Sequence, residues 1–183
     1  MKILKRIVLG LVTIVVVLAV ISLFLPKEVT VQRSITMRGQ ASDVFAYVNS
    51  FRKFQEWSPW ALHDPDAEIT YSGPEEGVGA KTTWSSENPN VGSGSQEIIE
   101  SRLDEYVKVS LDFGSEGGGT SDYQILSEEN RTRITWGFQT DLGYNPIARY
   151  MGLMLDSWLG ADYELGLDRL KSLVETGSVT TGE

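Results

Sequence analysis

The 183-residue sequence has no cysteine and a single histidine, His63. Without cysteine there is no disulfide framework, no thiol nucleophile, no thiolate-bound zinc and no lipidated N-terminal Cys. With one histidine, no site that needs two imidazoles can form, and serine–histidine catalysis would have to run through His63. Positive charge is also scarce: 16 Lys and Arg stand against 25 Asp and Glu. Three of those basic residues, Lys2, Lys5 and Arg6, lie within the first six positions, so the chain beyond them carries a net charge of −12. A surface of that sign repels phosphate. It argues against nucleic-acid binding and against a domain that lies flat on anionic lipid.

What the sequence does have is one long uncharged run. Residues Ile7 to Leu25 contain no charge and are interrupted only by Gly10, Thr13 and Ser22. At ~1.5 Å per residue, such a helix spans roughly 28 Å, close to the hydrocarbon thickness of a bilayer. A buried core helix would need a polar face, and this run has none. A cleaved signal peptide would have a shorter apolar region ending in an A-x-A-like site, which Ala19-Val20-Ile21 does not provide. The expectation is an uncleaved single-pass anchor over residues 7–25. Residues 1–6 then form a cytoplasmic tip, because basic residues stay inside. The remainder lies outside the cytoplasm, in the periplasm if the source has two membranes.

Beyond Pro26 the periodicity changes. Val29, Val31, Ile35 and Met37 alternate with polar residues, as in a strand with one apolar face. Arg33 shares the apolar parity, so it either snorkels at a sheet edge or meets a buried acid. Ser42 and Asp43 suit a helix start. Two short stripes, Val44-Phe45-Val48 and Phe51-Phe54-Trp57, give two short helices ended by Pro59. From Ala67 to Thr140, alternating segments separated by Gly, Pro, Asn and Asp clusters read as six antiparallel strands. Gly117-Gly118-Gly119 falls in one of the hairpins. Asn145-Pro146 is an N-cap followed by proline at the first helical position. A short helix to Gly152 and a long one from about Leu153 to Glu175 follow, ended by Gly177. The long helix is apolar over more than half its circumference, which predicts a helix embraced by a sheet. Strands and helices are segregated, so the fold class is α+β, with a domain over 28–176 and a flexible tail over 177–183.

This order, and several segments within it, resemble the START-like superfamily (SRPBCC, polyketide cyclase/dehydrase-like). The similar segments are Val31 to Ile35, Asp43 to Val48, Trp57-Ser58-Pro59-Trp60, Tyr71 to Pro74 with Gly77 to Ala80, Asn145 to Leu153, and Gly160 to Glu164 with Leu167 to Lys171. The resemblance implies a helix-grip fold, in which a curved antiparallel sheet wraps a long C-terminal helix over an apolar cavity. It also implies a hydrophobic ligand, lipid-like or polycyclic. Fold alone does not choose between binding and catalysis.

On that reading Trp57, Trp60, Tyr71, Trp84, Trp136, Phe138, Met154, Leu155 and Trp158 are the expected cavity residues, against the plainer alternative that they pack the core. Asp162 and Arg169 fall inside the apolar arc of the long helix. With Arg33 they are candidates for a buried ion pair, and Asp162 or a cavity tyrosine would act as acid or base if the protein is an enzyme. Asp156 and Glu164 are expected to face solvent. His63 with Asp64 and Asp66 lies in one Asp-Pro loop and reads as a turn rather than a metal site. Asn130-Arg131-Thr132 matches a glycosylation sequon. No cofactor motif and no metal site are expected. The leading expectation is a membrane-tethered, non-catalytic binder of a hydrophobic small molecule. A cyclase- or dehydratase-type enzyme and an envelope scaffold are the alternatives.

Overall fold

A computed structural model describes residues 2–177. Met1 of the tip, and the tail expected over 177–183 apart from Gly177, lie outside the described residues. The first helix, α1 (Lys2–Ser22), carries the apolar run. From Ile3 to Ile21 its side chains project into open space, and it is long and apolar enough to cross a membrane, a property that signal sequences share.

The chain then forms β1 (Glu28–Arg38), three short helices α2 (Ala41–Val48), α3 (Phe51–Trp57) and α4 (Trp60–His63), and six strands. The strands are β2 (Glu68–Ser72), β3 (Lys81–Ser85), β4 (Ser93–Arg102), β5 (Tyr106–Asp112), β6 (Gly118–Glu128) and β7 (Arg131–Asp141). Helices α5 (Pro146–Gly152) and α6 (Leu155–Thr176) complete the described chain. All seven strands join one antiparallel sheet in the order β1-β7-β6-β5-β4-β3-β2, an α+β helix-grip arrangement whose curved face holds α6. Asn145 caps α5, accepting from the backbone N–H of Ile147 and Ala148, with Pro146 in the first turn. Gly177 ends α6 in the left-handed conformation at φ 73°.

Local signals misplaced some boundaries. The N-cap of α2 lies two residues before Ser42, at Gln40, and the Asp43 carboxylate accepts from the Gln40 backbone N–H at 3.0 Å. Of the three glycines placed in a hairpin, only Gly117 is in the turn; Gly118 and Gly119 open β6. The predicted wide apolar arc of α6 is the larger departure. Its buried face is a single stripe, Gly160, Tyr163, Gly166, Leu167, Leu170 and Leu173. Met154, Trp158, Ala161 and Leu165 point outward. The sheet grips the middle and end of the helix, and its first turns emerge at the sheet edge.

Register decides what lies at each end of the sheet. Glu28 pairs with Asp141, Asp112 with both Gly118 and Ser95, and Ser85 with both Ser93 and Glu68. One end therefore collects the exit from α1, the entry to α5, the β5–β6 connection, the start of β2 and the β3–β4 hairpin. The opposite end carries the β4–β5 and β6–β7 hairpins. Aromatic rings fill the centre. Trp136 stacks on Tyr163 at 3.8 Å and meets Trp57, Phe54 and Trp60 edge to face.

Candidate functional site

A cavity of about 360 Å³ opens between the first turns of α6 and the β3–β4 hairpin. Its floor is the concave face of the sheet: Thr82 and Trp84 of β3, Gln96 of β4, Leu111 of β5 and Phe138 of β7. Phe113, just past β5, extends it. Phe54, Gln55, Trp60 and Ala61 of α3 and α4 form one wall, and Leu155, Leu159 and Tyr163 of α6 the other. The loop from Pro89 to Gly92 closes the rim. The volume and the mainly apolar lining with a few polar groups are typical of a small-molecule pocket.

The space exists partly because two neighbouring positions lack a Cβ. Trp84 pairs across the sheet with Gly94, where a Cβ would stand 2.7 Å from the indole. Phe138 lies over Gly119, where a Cβ would stand 2.8 Å from the ring. Each ring can lie down across its neighbouring strand and leave the volume above it empty.

The rim is held by polar contacts from three elements. His63 Nε2 and Asp162 Oδ1 are 2.9 Å apart, joining α4 to α6. Asn88 Nδ2 donates to the His63 carbonyl at 2.9 Å, and the Ser86 hydroxyl donates to Asp64. Trp84 Nε1 donates to the Val91 carbonyl at 3.2 Å. Deep in the cavity, Tyr163 is 2% exposed, and burial pushes its phenol well above the usual tyrosine range. It is therefore a neutral group through the physiological range, able to donate a hydrogen bond and unsuited to act as a base.

The nine expected cavity residues divide. Trp60, Trp84, Phe138 and Leu155 line the cavity. Trp57 and Trp136 do not: they are 0% and 1% exposed and form the core beneath it. Tyr71 lies apart, in a small recess with Arg52 stacked over its ring at 4.4 Å. Met154 and Trp158 are each 49% exposed on the outer side of α6. The helix leaves the sheet there, so an apolar position no longer implies an inward one.

The expected Arg33–Asp162–Arg169 cluster is replaced by three separate arrangements. Strand β1 is a sheet edge, and Arg33 reaches across it to acids on the outer face of α6. Its Nε donates to Glu164 at 2.7 Å, and its Nη1 and Nη2 donate to the Asp156 carboxylate at 2.9 and 3.2 Å. Those two acids are exposed, as expected, yet paired. Asp162 belongs to the rim with His63. Arg169 donates to the Glu56 carbonyl at 3.0 Å.

Sequence reasoning left out Gln55, Gln96, Leu111, Phe113, Leu159 and Tyr163. Leu111 and Phe113 could have been found, since they continue the alternation of Val107 and Val109. Gln55 and Gln96 carry no signal that separates them from surface glutamines.

Residues 28–175 match the model of the family described as polyketide cyclase / dehydrase and lipid transport. None of the curated proteins matches the sequence significantly. Among solved structures, a protein of unknown function from Staphylococcus aureus is similar at 16% identity and TM-score 0.62, over 82% of this chain and 95% of its own. Norcoclaurine synthase from Thalictrum flavum is similar at 12% identity and TM-score 0.59, over 80% of this chain and 93% of its own. A protein from Arthrobacter aurescens is similar at 15% identity and TM-score 0.57, over 80% and 86%. At such identities the likeness is one of fold.

Proposed function

The chain belongs to the polyketide cyclase / dehydrase and lipid-transport family, and from that premise we propose that it is a membrane-tethered, non-catalytic binder of a hydrophobic small molecule. The cavity is the observation that carries this reading: its volume is set by sheet, α3 and α6, and its surface is mostly apolar. In this reading residues 7–25 anchor the chain, residues 1–6 stay in the cytoplasm, and a domain over 28–176 works outside it. The anchor keeps the cavity concentrated at a bilayer surface, where apolar molecules partition. Trp60, Trp84, Phe138, Leu155 and Leu159 would enclose the apolar body of the ligand. Gln55, Gln96 and Tyr163 would meet a polar group at its end.

A catalytic reading draws less support from the geometry. Asp162, its acid/base candidate, is engaged with His63 on the rim. Tyr163 is kept neutral by burial. Asp64 accepts from Ser86 and from the Asp66 backbone N–H.

Native mass spectrometry of the full chain in detergent tests the proposal, after incubation with a fatty acid, a sterol and a polycyclic aromatic. The expected result is one-to-one retention of at least one of them, lost when Leu159 is replaced by Trp. Equal, non-saturating uptake by wild type and Leu159→Trp would sink it.

A further inference from the structure

The end of the sheet that carries the cavity mouth also carries an apolar surface with no protein cover among the described residues. Ile147, Met151 and Leu153 of α5 and the turn after it are 71%, 51% and 59% exposed. Phe24, just past α1, is 85% exposed, and Met154 and Trp158 are each 49% exposed. Charge is nearly absent. From Asn145 to Trp158 the ionisable cation is Arg149, which is 2% exposed, and the carboxylate is Asp156, which is tied to Arg33.

What covers this surface follows from where α5 touches α1. Arg149 Nη1 donates to the Ser22 carbonyl at 2.8 Å, and its Nε to the Gly143 carbonyl at 2.8 Å, so the guanidinium caps the C-terminal end of α1. Tyr150 donates its hydroxyl proton to the Leu18 carbonyl at 2.9 Å, one turn further back. Helix α1 ends at Ser22, and its uncharged part begins at Ile7, after Lys5 and Arg6. At ~1.5 Å per residue that part is about 24 Å long, so it has no length to spare if it crosses a bilayer. Ser22 then sits at the hydrocarbon boundary, and Leu18 lies about 6 Å inside it. A side chain of α5 that reaches Leu18 places α5 itself within the leaflet. That depth matches the roughly 5–10 Å to which in-plane interfacial helices bury their apolar faces.

The geometry points to α5 as a membrane-seating helix: it lies in the outer leaflet beside the anchor, with Ile147, Met151 and Leu153 among the acyl chains. This rests on the reading of α1 as an uncleaved span. The insertion is apolar, so the acidic balance of the domain does not oppose it on zwitterionic lipid. Lys27 lies beside it, with its ammonium 3.1 Å from the Tyr144 hydroxyl and 4.4 Å from the ring centre, a basic and aromatic pair suited to the headgroup layer. Leu155 and Leu159, on the first turns of α6 beyond this platform, wall the cavity. A leaflet held at α5 therefore lies beside the cavity mouth, and an apolar ligand can pass between membrane and cavity without crossing bulk water.

The absence of native cysteine allows a direct test. The full chain is reconstituted in phosphatidylcholine vesicles with one substitution at a time, Ile147→Cys, Met151→Cys, Val15→Cys in α1, or Leu103→Cys at the opposite end of the sheet. Each is labelled with an environment-sensitive fluorophore. The expected result is that labels at 147 and 151, like that at 15, are quenched by doxyl-labelled lipid and are several-fold less accessible than 103 to a water-soluble quencher. If 15 is lipid-buried while 147 and 151 are as water-accessible as 103, the seating inference fails and the anchor stands. If 15 is itself water-accessible, the anchor reading fails and takes the inference with it. Labels at 147 and 151 that are shielded from water yet untouched by doxyl lipid would mean that a second protein surface covers α5, which also overturns the inference.

Discussion

Single buried polar atoms and missing methyl groups decide much of the packing. Trp136, at the centre of the aromatic cluster, satisfies its indole N–H on the Ser121 hydroxyl at 2.8 Å, and that hydroxyl donates onward to the Gly137 carbonyl at 2.9 Å. Replacing Ser121 by Ala leaves a buried N–H with nothing to donate to. The expected loss is about 1–3 kcal/mol in denaturant unfolding of the full chain. The same substitution changed to Thr keeps the acceptor and should recover most of the loss. Gly166 acts by absence. A Cβ there would lie 2.9 Å from the Trp136 ring and 3.2 Å from Pro59, neither of which can swing away. Ala favours a helix by about 1 kcal/mol over Gly, but overpacking a core costs about 1–3 kcal/mol, so Gly166→Ala is expected to be destabilising. A rise in unfolding midpoint would show that the ring has room the geometry does not give it.

Among whole elements, α6 is held to β1 by charge pairing at its start as well as by its buried stripe. Arg33 holds the Asp156 carboxyl below the usual carboxylate range, chiefly through their hydrogen bond. A carboxyl with a lowered folded-state pKa stabilises above its unfolded value of about 3.9 and loses that contribution as pH falls through the folded one. The stability difference between wild type and Asp156→Asn should thus be full at neutral pH and close towards zero below the carboxylate range. A difference that persists there would mean that the pair does not hold the start of α6 to β1. The sequence made α6 legible where period and burial coincide, as at Tyr163 and Leu170. It misled at Met154 and Trp158, because periodicity reports apolar character but not where a helix leaves its sheet. At Arg33 it left two outcomes open, and the edge position of β1 with its exposed acids fits the first of them, since parity marks the face of a strand and not the distance to the nearest acid. Likewise Asp162 lies within an apolar arc yet meets His63, 99 positions away, a pairing that only the fold could reveal.

At the scale of the whole molecule, the question is whether the cavity and the proposed anchor form one device or two that share a chain. The link between them is Arg149, buried between the end of α1 and the Gly143 carbonyl at the entry to α5. Removing its side chain leaves the end of α1 without its cation, and the Tyr150 hydroxyl on the Leu18 carbonyl then remains to tie α5 to α1. Arg149→Leu combined with Tyr150→Phe should therefore keep the sheet and the cavity, which lie outside this contact, while freeing the domain to tumble on the Pro26 linker. Two measurements separate these parts. Affinity of the detergent-solubilised chain for a retained hydrophobic probe is expected to stay within about threefold of wild type, because the hydrogen-bond partners of Arg149, Ser22, Leu25 and Gly143, do not line the cavity. The rate of probe transfer from vesicles into the reconstituted protein should fall several-fold, because the cavity mouth is no longer held beside the leaflet. An unchanged transfer rate would mean that tethering alone, without fixed orientation, suffices to load the cavity. A loss of affinity in detergent would mean that α5 shapes the cavity itself, through Leu155 at the start of α6, and that orientation and binding cannot be treated as separate functions of this fold.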